Sequence, residues 1–333
     1  MTTNRQIRIV AMPTDKLGPE HFELAEGPMP VPGENEVLCR TLYLSLDPAN
    51  RAWMQGATYR SALDPGQVMA GFTLAEVVES NHPNFKPGEL TAGDGGWQEY
   101  FVKPGAQLRK EARREPLSHL MSALGVTGVT AHYGMQGIGK PQPGETVVVS
   151  AAAGATGSVA GQIAKLKGAT VVGIAGGPEK CRRLIDEFGF DASIDYKNEN
   201  IFDALKATCP NGIDLYFDNV GGRTLEAVLF RMNLHGRIVC CGVVSQYDTA
   251  NPSPGPRGVP GLLITKRLTM SGFLLGDDAD LMTQANKDLP AWVEDGSIKV
   301  AEDILDGLEQ APAGLIGMLA GENFGKRMVR VSE

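Results

Sequence analysis

The chemically informative stretch of this chain is a glycine turn, Ala152-x-Gly154-x-x-Gly157, set between the run Val147, Val148, Val149 and an apolar stripe at Val159, Ile163 and Leu166. Three consecutive β-branched residues suit a parallel strand buried on both faces. The i, i+4, i+7 stripe is one face of a helix, and Gly168 supplies the left-handed residue that ends it. In the turn, Gly154 lets the backbone approach a pyrophosphate and Gly157 lets helix pack close on strand. The amides and dipole of the helix N-terminus face the anion. Taken alone, the pattern fits a dinucleotide cradle and a plain strand-to-helix turn alike.

The next strand ends in Ala175-Gly176-Gly177, where an NAD-binding chain carries a carboxylate for the ribose hydroxyl. Glu179 is a rival for that role, but Lys180, Arg182 and Arg183 follow it, and a phosphate fits that neighbourhood better. Metal chemistry has no such framework. Cys39, Cys181, Cys209, Cys240 and Cys241 form no CxxC pair, and His21, His82, His119, His132 and His235 are dispersed, so neither a disulfide scaffold nor a metal site is expected. Cys240 and Cys241, in the strand-like IVCCG, read as core residues.

The elements that must position the turn divide the chain in two. Up to about Gly125 short strands (Ile7 to Ala11, Glu36 to Leu44, Leu74 to Glu79, Trp97 to Val102) alternate with Pro/Gly turns, which predicts an irregular β-rich domain. Beyond it, strands and helices alternate: after the opening unit come a strand Ala169 to Ala175, a helix Glu179 to Phe188 and a strand Ala192 to Ile194. A helix at Asn200 to Ala207, a strand Ile213 to Phe217, a helix Thr224 to Asn233, and strands Arg237 to Cys241 and Leu268 to Phe273 complete the series. Six strands with helical crossovers predict an α/β, doubly wound Rossmann-type parallel sheet, with its ligand crevice at the carboxyl ends of the strands. The proline-rich Asp248 to Gly261 reads as a lid over that crevice. Arg327 to Val331 reads as a strand returning to the first domain, so the expected domains are 1–125 with 298–333, and 126–297.

With 333 residues, 42% hydrophobic and 21% charged, the composition is that of a globular protein. A net charge of −8 and the lack of a basic stretch argue against nucleic acid as a partner. MTTNRQIRIV has no apolar signal core and no run is long enough to cross a bilayer, so no membrane association and a cytoplasmic location are expected.

Several motifs in order, LSLDP from Leu44, GVTGVTAHYG from Gly125, AAAGATGSVAGQIAKLKG from Ala151, YFDNVGG from Tyr216, GRIVCCGVVSQY from Gly236 and ENFGK from Glu322, give the chain a wider likeness. It resembles the zinc-free, NADPH-dependent double-bond reductases of the prostaglandin reductase and leukotriene B4 dehydrogenase type, within the medium-chain dehydrogenase/reductase superfamily. The resemblance implies a GroES-like catalytic domain joined to the Rossmann domain, an NADP(H) cofactor and a homodimer paired through the sheet edge near Leu268 to Phe273. It also implies site residues. Those matching Thr156 and Gly157 meet the pyrophosphate, and those matching Lys180 and Tyr196 hold the 2′-phosphate. Asn219 and the segment Cys241, Gly242, Val243, Ser245, Tyr247 line the cofactor, while Phe273, Leu274, Leu275 and Asn323 reach its nicotinamide end. Ala49 and Asn50 replace the tyrosine and methionine usual after the Asp-Pro motif, removing one aromatic from the substrate wall. SLDPANR and VMAGFTLAEV offer no Cys or His where the zinc-bearing branch has its ligands.

The expected reaction is hydride delivery to the β-carbon of an α,β-unsaturated aldehyde or ketone, with positioning and one hydrogen-bond donor to the enolate oxygen as the protein's contribution. Tyr247 is the candidate donor, with plain packing as its other reading. Tyr59 is a weaker candidate, Arg51 is an ion-pair partner or a substrate contact, and His132 is expected at the domain junction. A quinone reductase of the same superfamily and a non-catalytic NADPH-binding protein are the alternatives.

Overall fold

The computed structural model describes residues 3–252 and 254–333. It forms two compact units, one of Met1–Met121, Tyr247–Asn251 and Glu302–Glu333, the other of Ser122–Gln246 and Pro252–Ala301. The sequence division at 125 and 298 is displaced for local reasons. The Ser122 carbonyl accepts from the Thr127 hydroxyl at 3.0 Å, at the start of the next helix, and Lys299 exchanges backbone bonds of 2.8 and 3.0 Å with the Gln162 side chain.

In the first unit, β1 (Thr3–Ile9) and β2 (Phe22–Pro28) form an antiparallel pair. β3 (Glu36–Ser45), β4 (Phe72–Ser80), β5 (Leu90–Asp94), β6 (Tyr100–Pro104) and β7 (Arg109–Glu111) make an antiparallel sheet in which β6 pairs with β3. The short helix α1 (Pro48–Trp53) follows β3. Its core gathers Ile7, Ile9, Leu44, Trp53, Met69 and Trp97, the last stacked on Phe22 at 5.5 Å. Trp97, expected inside a strand, instead precedes β6 and is fully buried.

In the second unit, α2 (Val126–His132) runs into a π-helical segment, Tyr133–Gly139. Then come β8 (Thr146–Ser150), α3 (Ala155–Leu166), β9 (Thr170–Ala175), α4 (Pro178–Phe188), β10 (Ala192–Asp195), α5 (Ile201–Thr208) and β11 (Ile213–Asp218). α6 (Gly222–Arg231), β12 (Met232–Cys240), α7 (Val259–Lys266), β13 (Thr269–Gly272) and α8 (Ala279–Glu294) complete it. All neighbours in this sheet are parallel, in the order β10-β9-β8-β11-β12-β13. The order reverses between β8 and β11, and at such a switch point two successive loops diverge and leave a crevice for a ligand.

Two features depart from the sequence reading. α8 is absent from the predicted elements, because Pro290 inside it obscures a helix that Asp278 caps by accepting from the Asp280 and Leu281 amides. The stretch expected as one irregular lid is fixed at both ends: Asp248 and Ala250 are hydrogen-bonded, and Val259 to Gly261 are already helical. Ser253, within that stretch, lies outside the described residues.

The chain then returns to the first unit with β14 (Glu302–Asp306), α9 (Ala311–Leu319) and β15 (Lys326–Arg330). β15 pairs with β14 in parallel and with β3 antiparallel, placing Met328 opposite Ser45.

Candidate functional site

At the switch point, β8 turns into α3 through a tight backbone. Ala151 takes a left-handed φ of 46°, the Ala152 amide donates to the Ile174 carbonyl at 3.0 Å and the Gly154 amide to the Ala151 carbonyl at 2.9 Å. A Cβ on Gly157 would lie 2.3 Å from the Ala151 oxygen and 2.9 Å from Ala152 Cα, both backbone. On Gly154 it would meet only that oxygen, at 3.2 Å. Gly157 is therefore required by helix–strand contact, whereas Gly154 leaves the outer face of the turn bare. No side chain caps α3, so its leading amides stay available to an anion.

Across the switch point a buried network shapes the loop after β11. Asp218 Oδ1 accepts from the Tyr216 hydroxyl at 2.8 Å, the Ser150 hydroxyl at 3.2 Å and the amides of Val220 and Gly221 at 2.9 and 2.8 Å. Burial raises the Asp218 carboxyl above its ordinary value, against the downward pull of those amides and hydroxyls. Asn219 is fixed through Nδ2 to the Ser150 carbonyl at 2.7 Å. The loop after β12 is tied to the same place: the Cys241 and Gly242 amides reach the Asp218 carbonyl, and the Val244 amide reaches that of Asn219. Ser245 donates through its hydroxyl to the Val220 carbonyl at 2.6 Å. Asn219, Cys241, Gly242, Val243 and Ser245 are thus brought together beside the glycine turn. Asp218, Ser150 and Tyr216 are functional supports that the sequence reading passed over; the motif YFDNVGG held two of them. Cys240 and Cys241 are half-buried, with Cys240 packed against the second unit's core. Burial, with the Asp218 charge, pushes their thiols up to about 11 and about 12, which leaves them without thiolate character at neutral pH.

The rim at the end of β9 is built by Asp195. Its Oδ1 accepts from the Gly177 amide at 2.7 Å and the Lys197 amide at 3.1 Å, and its Oδ2 from Asn198 Nδ2 at 2.7 Å. Burial pushes this carboxyl up, but the Asn198 side chain and the backbone amides of Gly177, Lys197 and Asn198 outweigh it, and the carboxyl sits below its ordinary value. A Cβ on Gly176 would fall 2.9 Å from Tyr196 Cε1 and from Lys197 Cε, the movable ends of two side chains that pass over this backbone. The exposed Tyr196 ring thus lies against Gly176, and Lys180 is half-buried in the first turn of α4. Arg182 and Arg183 are engaged along their own helix: Arg182 binds Glu179 and Asp186 at 2.9 and 3.0 Å, and Arg183 grips Glu187 in a two-pronged pair. Spacing of three and four residues along α4 pairs each arginine with its own helix's acids.

Near the sheet edge, Phe273 stacks on Tyr133 at 5.0 Å and 6°, over Gly134, where a Cβ would meet Phe217 at 2.6 Å. The backbone N–H of exposed Leu274 donates a hydrogen bond to Asp277 Oδ2 at 2.9 Å, and Leu275 is half-buried. His132, expected at a junction, is buried within the second unit, bonded to Asp288 at 2.8 Å and packed against Trp292.

In the first unit, the Asp-Pro turn is locked by Lys326, whose Nζ donates to Asp47 Oδ1 at 2.7 Å and the Leu46 carbonyl at 2.8 Å. Asn50 is fully buried, accepting from the Asp47 amide at 2.7 Å and donating to the Ala70 carbonyl at 2.9 Å. It therefore serves the turn, while half-buried Ala49 packs against the first unit's core. Arg51 is an ion-pair partner, bound to Asp248 at 3.0 Å. Tyr59 is 65% exposed and meets Trp53 edge-on. Asn323 Nδ2 donates to the Gly325 carbonyl at 2.9 Å, and Tyr247 opens the segment Tyr247–Asn251 of this unit. Among the described residues, no three His, Cys, Asp or Glu side chains are grouped to hold a metal ion, and no helix is long and apolar enough to cross a membrane.

A doubly wound parallel sheet with a glycine turn at its switch point, in one chain with an antiparallel β unit closed by C-terminal strands, defines the build of a dinucleotide-dependent oxidoreductase. Two family models match accordingly, an "N-terminal domain of oxidoreductase" over residues 5–110 and a "Zinc-binding dehydrogenase" over residues 155–289. The NADPH-dependent curcumin reductase of Escherichia coli is 42% identical over 99% of this chain and 97% of its own. The 2-alkenal reductase (NADP(+)-dependent) of Nicotiana tabacum is 42% identical over 90% and 88%. The crystal structure of CurA from Vibrio vulnificus in complex with NADPH superposes with a TM-score of 0.94 at 39% identity, covering 99% of both chains. The chain belongs to the medium-chain dehydrogenase/reductase superfamily, in its zinc-independent prostaglandin reductase and alkenal reductase group.

Proposed function

We propose that this protein reduces the C=C bond of α,β-unsaturated aldehydes and ketones with NADPH, without a metal. The observation that carries the cofactor half is the end of β9: none of Ala175, Gly176 and Gly177 carries a carboxylate, the Asp195 carboxylate there is taken up by the Gly177 and Lys197 amides, and the Tyr196 ring passes over Gly176. The bare face of Gly154, the tight approach at Gly157 and the uncapped α3 fit a pyrophosphate. Lys180 and Tyr196 hold the 2′-phosphate, and Asn219 with Cys241, Gly242, Val243 and Ser245 lines the cofactor. Phe273, Leu274, Leu275 and Asn323 serve its nicotinamide end. Bound there, NADPH supplies the hydride for the substrate β-carbon. The chain's own work is to orient two π systems and to stabilise the charge that gathers on the carbonyl oxygen, for which Tyr247 provides the hydroxyl donor.

Reduction at carbon rather than at the carbonyl follows from the donor set. An alkoxide needs a strong acid or a Lewis acid beside it, whereas an enolate is a weaker base that one hydroxyl and water can serve. Incubation with NADPH and an enone, an enal, a quinone, and separately an alcohol with NADP, tests this. The saturated carbonyl compound is the expected product; an allylic alcohol, or turnover of the quinone alone, overturns the assignment. The chain acts as a homodimer in this reading, supported by β13 as an edge strand of the second unit's sheet. Light scattering at micromolar concentration is expected to give twice the 35.5 kDa chain mass, and the single mass refutes it. A cytoplasmic location fits five free cysteines and is tested by cell fractionation.

A further inference from the structure

Asp248, the residue after Tyr247, has a left-handed φ of 57°. Its Oδ1 accepts two hydrogen bonds, from the Leu17 amide at 2.6 Å and from Arg51 Nε at 3.0 Å. Arg51 is 1% exposed, and its Nη2 donates to the Asp15 carbonyl at 2.7 Å. Asp15 closes the ring by accepting the Ala250 amide through Oδ1 at 2.9 Å. The short segment carrying Tyr247 is therefore gripped at two points, Asp248 and Ala250, by residues 197 to 235 positions earlier. Asp248 is the only carboxylate paired with Arg51 among the described residues. A buried guanidinium needs a countercharge, which Asp248 supplies to Arg51 although Arg51 Nη1 has no hydrogen-bond partner, and a left-handed non-glycine residue persists only where its surroundings over-determine it. Both features sit on the residue that sets the direction of the Tyr247 backbone.

We propose that Asp248, locked by Arg51 and the Leu17 amide, is a positioning residue that aims the Tyr247 hydroxyl at the substrate oxygen. This rests on the reading of Tyr247 as the donor. Asp248→Gly keeps the left-handed backbone without strain and removes both bonds. In the full-length enzyme with NADPH and an enone, it is expected to lower kcat about ten- to a hundredfold, the effect of misplacing a reacting group by an ångström or so. NADPH affinity should stay unchanged. In a Tyr247→Phe background, the same substitution should change kcat by less than about twofold, because two residues acting through one hydroxyl are not additive. Asp248→Asn retains the acceptor and tolerates the left-handed backbone, and should give a smaller loss with the same dependence on Tyr247, which covers the case that the glycine variant fails to fold. A wild-type kcat in Asp248→Gly, or a loss by either variant that is undiminished in Tyr247→Phe, overturns the proposal while leaving the donor reading intact. A wild-type kcat in Tyr247→Phe itself refutes the donor reading, and the positioning role with it.

Discussion

Replacing Gly157 and Gly154 separately by alanine tests the glycine turn at its two contacts, because the structure assigns them different work. At Gly157 the new methyl group would stand 2.3 Å from the Ala151 carbonyl oxygen, with Ala151 C and Ala152 Cα both at 2.9 Å. None of these is the movable end of a side chain, so α3 has to retreat from β8 by about 1 Å, in a region packed as closely as a crystal. Overpacking of that kind costs about 1–3 kcal/mol. For a unit of this size it appears as a fall in Tm of about 3–10 °C. At Gly154 the single close contact is 3.2 Å, which a small shift relieves, so the fold should survive with Tm close to wild type. The methyl group then occupies the face that meets the pyrophosphate. Losing one charge-assisted hydrogen bond, about 1.5–3 kcal/mol, weakens NADPH binding about ten- to a hundredfold. Thermal melting without cofactor and NADPH fluorescence titration read the two effects apart. If Gly154→Ala binds NADPH like wild type, the pyrophosphate does not lie on this turn. If Gly157→Ala melts like wild type, the helix–strand contact is not the constraint argued for it.

Lys180→Ala is expected to weaken NADPH about ten- to a hundredfold and leave NADH nearly unchanged, since the ammonium is assigned only to the 2′-phosphate; equal losses for the two cofactors refute that assignment. Asp195→Asn should destabilise the protein at neutral pH, because the carboxylate accepts the Gly177 and Lys197 amides and the Asn198 side chain. A carboxyl held below its ordinary value of about 3.9 stabilises the fold above that pH and loses the contribution as pH falls toward its folded-state value. The gap between wild type and Asp195→Asn should therefore be widest near pH 7 and narrow below about pH 4, as read by denaturant unfolding. A gap independent of pH contradicts the charge argument.

What the sequence determined by itself is what short-range pattern encodes. Three valines, a glycine pair and a helical stripe specify the strand, turn and helix of the cradle, and the alternation of such units specifies a parallel sheet. The lack of an acid at Ala175-Gly176-Gly177 is also a local fact, whereas tertiary structure brings the Asp195 carboxylate onto the Gly177 amide beside it. Tertiary structure decided which charges are engaged and which residues face a ligand. Arg182 and Arg183 read as phosphate neighbours in a string of letters, yet their own helix supplies acids at the distances that helical geometry favours. Asn50 reads only as a departure from the usual methionine, but a buried amide has to find partners, and the Asp47 amide and the Ala70 carbonyl provide them. Asp218 became visible as a support only when β8 and β11 came together, because Ser150 lies 68 residues away. The grip on Tyr247 spans 231 positions between Leu17 and Asp248. No periodicity links residues so far apart in the chain; packing brings them together, and the requirement that buried charges and amides be paired fixes which of them meet.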